Sequence, residues 1–290
     1  MSQSKAAVLR SMLKEKKIIM APGAYDGITA RLVQEAGFPA IYITGAGVAS
    51  TRLGMPDVGL VTMPEMVDVA KNICACTDIP VICDIDTGYG NALNLMRSVR
   101  EFKNTGLAAI QIEDQITPKR CGHTGGKQII SKEEMVNKIR AAILERGDSD
   151  LVLIARTDAI QVNGFEDALD RAKAFAAAGA DVIFVEAPKT EEQMLRITEE
   201  LKGSPLLINI VERGGDTPCL SAKKLEEMGY NIAIYPVTAW VSAIKAIRQN
   251  LKILKEEGST DSCADKMASF QEMFDLVDRP KFVELEKKFV

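Results

Sequence analysis

The sequence predicts a (β/α)8 barrel with extra helices after its last strand. Three observations carry that expectation. Short apolar runs rich in β-branched residues recur eight times along the 290-residue chain. They are continuously apolar rather than alternating, as parallel strands buried on both faces are. Helical patterns lie between them, and a strand-then-helix unit repeated eight times can close on itself with no open edge.

The eight runs are KIIMAP from Lys17, AIYIT from Ala40, IPVICDID from Ile79 and LAAIQIED from Leu107, then LVLIARTD from Leu151, DVIFVEA from Asp181, PLLINIV from Pro205 and NIAIYPV from Asn231. Helix signals punctuate the spacers. DGITARLVQEAG closes on Gly37, a glycine suited to the left-handed helix end. Thr62 with Glu65 three residues on is a capping box. Ser131 opens a helical pattern that ends at Gly147, and another closes at Gly179. After the eighth run, TAWVSAIKAIRQNLKILKEEG reads as a long amphipathic helix, followed by at least one more. The expected organisation is a barrel over residues 1–240 and a helical extension over 241–290, whose surplus apolar face packs on a neighbouring subunit.

Composition narrows the function. A net charge of −4 with no basic stripe excludes phosphate-backbone recognition, so no nucleic-acid partner is expected. No apolar run approaches the roughly 20 residues of a membrane helix. The N-terminal stretch lacks a signal-peptide core, which points to the cytoplasm. There the six cysteines are free thiols. Cys74 and Cys76 read as a helix-end pair, since a structural zinc site needs four Cys or His ligands in paired spacings.

Barrels of this kind place their active site at the C-terminal ends of the strands. Taken in order, those ends carry Tyr42 and Thr44, Asp84 and Asp86, Glu113, Arg156, Glu186 and Asn209. Each has an ordinary reading as a cap or an ion pair; their convergence is the signal. Asp84, Asp86 and Glu113 on adjacent strands repel one another unless a cation sits between them. The i, i+2 spacing of the aspartates puts both on one side of a strand. Hard oxygen donors without His or Cys suit Mg2+, with Mn2+ as the substitute. TGAGVAS, from Thr44, lacks the third glycine of a dinucleotide fingerprint and leads into a stretch that does not read as helix. Close approach of backbone to a small ligand accounts for it better.

The combination of PGAYDGITARL, IYITGAGVAS, LGMPDVGL, DIDTGYGN, IEDQITPKRCGHTGGK, ARTDA and IFVEA, in that order over nearly the whole chain, resembles the isocitrate lyase / phosphoenolpyruvate mutase superfamily. The resemblance implies a Mg2+-dependent (β/α)8 enzyme, a homotetramer with C-terminal helices swapped between subunits. It implies that Asp86 ligates the metal directly, that Asp84 and Glu113 hold its waters, and that Asp57 supports that shell. Thr44, Gly45 and Ala46 would bind a substrate carboxylate. Arg156 would polarise the oxo-acid end, and Asn209, Glu186, Gly122 and His123 would line the pocket.

The intact K-R-C-G-H of residues 119–123 resembles the superfamily's lyases, whereas its mutases and phosphonate hydrolases lack the cysteine. The implied chemistry is retro-aldol cleavage of the C2–C3 bond of a 2-hydroxy dicarboxylate. Tyr42, as a phenolate, is the expected base. Cys121 is the acid that protonates the departing carbanion, tuned by Lys119, Arg120 and His123. Gly122, Gly125 and Gly126 would let the loop close. Isocitrate lyases are much longer, which argues against isocitrate, and Thr44-Gly45-Ala46-Gly47 with YDGITAR resembles the dimethylmalate lyase and oxaloacetate hydrolase branch, which favours a substituted malate such as 2,3-dimethylmalate, giving propionate and pyruvate. 2-Methylisocitrate, giving succinate and pyruvate, is the alternative. Its third carboxylate needs another cation, for which Arg213 is a candidate. Oxaloacetate hydrolysis, phosphonate chemistry and a noncatalytic ligand-binding barrel are the remaining readings.

Overall fold

A computed structural model describes residues 3–122 and 125–289. Eight parallel strands close a barrel in sequence order: β1 (Ile19–Ala24), β2 (Ile41–Ile43), β3 (Val81–Asp84), β4 (Ala109–Glu113), β5 (Val152–Thr157), β6 (Val182–Val185), β7 (Leu206–Asn209) and β8 (Ile232–Tyr235). β8 pairs with β1 in the register Ile19 opposite Ile232, which closes the ring. The predicted barrel and all eight strands are therefore present.

Side chains fill the barrel. Ile19, Ala21, Tyr42, Ile82, Ile154, Phe184, Leu207 and Ile234 form its interior cluster. The first helix, α1 (Lys5–Met12), adds a fully buried Leu9 to that cluster and so plugs one end. Burying such a leucine stabilises by about 2 kcal/mol. Lys5 Nζ donates to the carbonyls of Cys74 and Thr77, which ties the plug to the end of the fourth helix.

The predicted helix signals act as expected. α2 (Gly27–Glu35) is capped by Asp26, and α3 (Gly45–Val48) by Thr44. α4 (Met63–Cys76) carries the Thr62–Glu65 capping box and ends on the predicted cysteine pair. α5 (Ala92–Lys103) begins at Asn91, and α6 (Lys132–Arg146) at Ser131. α7 (Ala159–Val162), α8 (Phe165–Ala177), α9 (Glu191–Glu200) and α10 (Ala222–Met228) complete the outer layer. α3 runs on into a π-helical turn, Ala49–Leu53, which corrects the sequence reading for Thr51–Leu53, while Gly54–Gly59 are not helical, as expected.

The extension begins inside α11 (Thr238–Glu257) and continues through α12 (Phe270–Leu276) and α13 (Arg279–Phe289). No residue of these three helices is buried. Ile247, Leu251, Phe270 and Phe282 are each more than half exposed, with fractions of 57%, 59%, 74% and 63%. No helix among the described residues is long and apolar enough to cross a membrane.

Candidate active site

One rim of the barrel collects the predicted polar residues because a parallel barrel brings all strand C-termini to one end. Asp84 ends β3, Glu113 ends β4, Arg156 lies in β5, Glu186 follows β6 and Asn209 ends β7. All five are buried. Backbone bonds fix their heights: Ile85 N–H donates to Gln111, Glu113 N–H to Asp86, and Glu186 N–H to Thr157. Asp86 is not on the strand, contrary to the spacing argument. It stands one residue past Ile85 in a left-handed conformation, φ 52°. Its carboxylate still converges with that of Asp84, because both face Gly45.

The rim and adjoining loops enclose a cavity of about 320 Å³ lined by Tyr42, Thr44, Ala46, Asp57, Asp84, Lys119, Cys121, Gly122, Arg156, Glu186 and Asn209. Thr44 accepts from Gly47 N–H at 3.3 Å, which opens α3. The N–H groups of Gly45 and Ala46 stand in that first turn, where no carbonyl of the helix can reach them. Arg156 donates twice to Asp158, at 2.9 Å each, and its Nη1 lies 3.4 Å from Glu113. Asn209 donates to Glu186 Oε1 at 3.1 Å. Gly122 is required where it is: a Cβ there would stand 2.3 Å from Arg156 Nη2.

The electrostatics follow from burial. Burial and neighbouring Asp86 push the Asp84 carboxyl up to about 6, and burial drives Glu113 well above the usual range. Lys119 is buried with its ammonium among these groups, 2.5 Å from Asp57 and 2.9 Å from Asp86. Its ion pairs are thus with the acidic ring. The Arg120 guanidinium meets the Gly125 carbonyl at 3.5 Å. His123 lies outside the described residues. Tyr42 donates to Gln111 Oε1 at 3.1 Å. Burial, then the charge of Asp84, raises its phenol well above its ordinary value, which favours the neutral form in the resting site.

Four carboxylates therefore surround one cation-shaped demand. Among the described residues, Glu113 Oε1 is buried without a hydrogen-bond partner, and Asp86 Oδ1 meets the ammonium of Lys119. Among the described residues no three metal-type side chains lie close enough to grip one ion together. The donor set fits a hard divalent ion held directly by few protein oxygens and otherwise through water, the habit of Mg2+.

The loop expected to act as a lid, described over 118–122 and 125–127, is anchored at both ends. Ile116 N–H donates to Gln128, and Ile130 N–H to Asp114. The Gln115 amide grips both backbone groups of Arg120, at 2.9 and 3.0 Å. Lys127, fully buried, donates to the Gly122 carbonyl at 2.6 Å and to Asp158 at 2.8 Å. Sequence reasoning missed this tie. It also missed the apolar wall of Val211, Ile234, Pro236, Val237 and Trp240 that completes the cavity. A lone tryptophan just after the last strand was the available signal. Arg213 is exposed and does not line the cavity.

Comparison with known proteins agrees with this geometry. Residues 9–255 match the phosphoenolpyruvate phosphomutase family. The chain is 47% identical to 2,3-dimethylmalate lyase of Eubacterium barkeri, with 98% of each chain covered. It is 42% identical to 2-methylisocitrate lyase of Aeropyrum pernix, covering 93% of this chain and 86% of that one. A crystal structure of 2,3-dimethylmalate lyase superposes with a TM-score of 0.94 at 38% identity, covering 99% of this chain and 96% of that one. A phosphonopyruvate hydrolase, solved as a complex with oxalate and Mg2+, superposes at 0.88 with 28% identity and 99% of each chain covered.

Proposed function

The chain belongs to the phosphoenolpyruvate phosphomutase family, within the superfamily that includes the isocitrate lyases, and from that premise we propose that it cleaves the C2–C3 bond of a 2-hydroxy dicarboxylate, 2,3-dimethylmalate being the favoured substrate. The observation that carries the reading is the position of Cys121, which lines the same cavity as Asp57, Asp84, Arg156, Glu186 and Asn209. A thiol above an oxo-acid site supplies the proton that a lyase needs and a phosphoryl-transfer enzyme does not.

A Mg2+ or Mn2+ ion held by Asp86, with Asp84, Glu113 and Asp57 around its waters, would lower the pKa of the substrate hydroxyl. Thr44 and the N–H groups of Gly45 and Ala46 bind one carboxylate, and Arg156 binds the oxygens at C2. With the Tyr42 phenol neutral, Glu186 is the carboxylate that accepts the hydroxyl proton. The C2–C3 electron pair leaves with the departing half as an enediolate, and C2 becomes the carbonyl of pyruvate. The Cys121 thiol then protonates C3, giving propionate and a thiolate that is reprotonated before the next turnover.

The apolar wall supports the choice of substrate. Val211, Pro236, Val237 and Trp240 present methyl-sized contacts, and the described cations of the cavity, Lys119 and Arg156, are already paired with carboxylates. A third carboxylate, as in 2-methylisocitrate, would be buried there without a partner, at a cost of several kcal/mol. The assay is pyruvate release with Mg2+ and each acid, coupled to lactate dehydrogenase. The expected outcome is turnover of 2,3-dimethylmalate at least tenfold above 2-methylisocitrate, abolished by EDTA. Pyruvate from neither acid would overturn the reading.

The exposed apolar stripe of α11–α13 is the surface we assign to a second copy of this chain, in a tetramer with exchanged helices. The barrel of residues 1–240 would then be the catalytic unit and 241–290 the interface, in a cytoplasmic enzyme. Light scattering of the intact protein and of Leu251→Glu tests this, with the mass expected to fall in the variant.

A further inference from the structure

The turn that carries Asp86 is held in an unusual shape. Asp86, Gly88, Tyr89 and Gly90 all have positive φ, at 52°, 80°, 64° and 142°. Two of the four are not glycine, and left-handed conformations at such residues persist only where the surroundings enforce them. Gly88 N–H donates to Ile85 at 2.9 Å and Asp86 N–H to Asp84 Oδ1 at 3.1 Å, the Thr87 and Thr117 hydroxyls lie 2.7 Å apart, and Glu113 N–H and Ser98 Oγ donate to the carbonyls of Asp86 and Gly88, both at 3.0 Å.

The carbonyls of Thr87 and Gly90 are held by one buried side chain. Lys138, on α6, is 3% exposed, and its ammonium donates to the carbonyls of Thr87 at 2.6 Å and Gly90 at 3.0 Å. No carboxylate lies within ion-pair distance of it among the described residues. Burial draws its pKa down, opposed by the fields of Glu134, Glu113 and Asp114. A buried charge spent on two carbonyls is costly unless the geometry it imposes matters. Both carbonyls belong to this turn, one on each side of its left-handed Gly88 and Tyr89, and Asp86 immediately precedes the first.

We propose that Lys138 is a positioning residue for Asp86, fixing the turn so that this carboxylate is held ready for the divalent ion. The inference rests on the metal reading above. Outer partners that orient a ligand typically change metal affinity by about 10–100-fold when removed.

The test is Mn2+ binding without substrate, by calorimetry and by the paramagnetic resonance of free Mn2+, on the whole protein. Lys138→Met keeps the length and removes the donors; it is expected to weaken Mn2+ binding at least tenfold. Ile139→Ala, equally buried on the same helix, is expected to lower the melting temperature as much or more while leaving Mn2+ affinity within twofold. Lys138→Arg, which keeps charge and donors, is expected to recover part of the affinity. If Lys138→Met does not fold, Lys138→Gln is read in the same way. Folded Lys138 variants that bind Mn2+ as the unmodified protein does would overturn the inference and leave the metal reading intact. An unmodified protein that binds no Mn2+ overturns both.

Discussion

The rim of the barrel and the lid above it meet in one cavity but are built on opposite principles. Rim residues sit at strand ends, and their positions follow from ladder register: Glu113 lies opposite Arg156 because β4 and β5 pair in that register. Lid residues have no ladder. Side chains hold the backbone on either side of Cys121: Gln115 at Arg120 and Lys127 at Gly122. Rim chemistry should therefore fail by losing a ligand, and lid chemistry by losing a position.

The largest expected effect is on the rim. Asp86→Ala removes the carboxylate assigned to the metal, and activity is expected to fall by about 10⁴-fold or more, with Mn2+ binding lost in the same titration. Unchanged Mn2+ affinity in that variant would move the metal elsewhere. Next comes the lid's one reacting group. Cys121→Ser keeps the size but replaces a thiol with a far weaker acid, and kcat should drop about 10²–10⁴-fold with little change in KM. A variant with full turnover would strip Cys121 of its role.

Lys127→Met separates position from chemistry, since it leaves every reacting group in place. Removing the tie between the Gly122 carbonyl and Asp158 should lower kcat by about 10–100-fold, the range expected when closing geometry loosens. Stopped-flow proton uptake and single-turnover rates would place the loss in the carbon-protonation step. A pure stability defect would instead lower the melting temperature and spare the rate per folded molecule. The pH behaviour of Asp158 gives the same contrast. Burial opposes its ionisation, but Arg156 and Lys127 together hold its carboxyl at about 2. A depressed carboxyl contributes stability above its unfolded value near 4 that is lost as pH falls toward 2.

The two regions also differ in how much the amino-acid order disclosed. Asp84, Glu113, Arg156, Glu186 and Asn209 were identifiable because any residue ending a parallel barrel strand arrives at one rim. Asp86 was found for a partly mistaken reason, since a left-handed turn, not strand alternation, aims its side chain. Lys119 and Tyr42 were placed at the cavity, but the partners of each were not foreseen. Whether an ammonium faces a thiol or an acidic ring, and whether a phenol is wet or buried, depends on contacts distant in sequence: Asp57 is 62 residues from Lys119, and Gln111 is 69 from Tyr42. The apolar wall escaped notice because valine, proline and tryptophan at strand ends resemble ordinary core.

Arg120 carries the smallest expected effect and the sharpest test of the comparison. Sequence proximity makes it a natural tuner of Cys121, since it is the adjacent residue. The structure gives its backbone to Gln115 and its guanidinium to an exposed contact with Gly125. An exposed bond at 3.5 Å contributes little, well under 1 kcal/mol. Arg120→Ala should therefore change kcat less than threefold and leave the pH dependence of turnover where it was, because the backbone contacts that place Cys121 do not use the side chain. Gln115→Leu, which removes those contacts and leaves Arg120 intact, should cost more than Arg120→Ala. The reverse order, with the arginine variant the slower of the two, would mean that charge beside the thiol matters more than the position of the loop, and the division between a ligand-built rim and a position-built lid would fail at its clearest point.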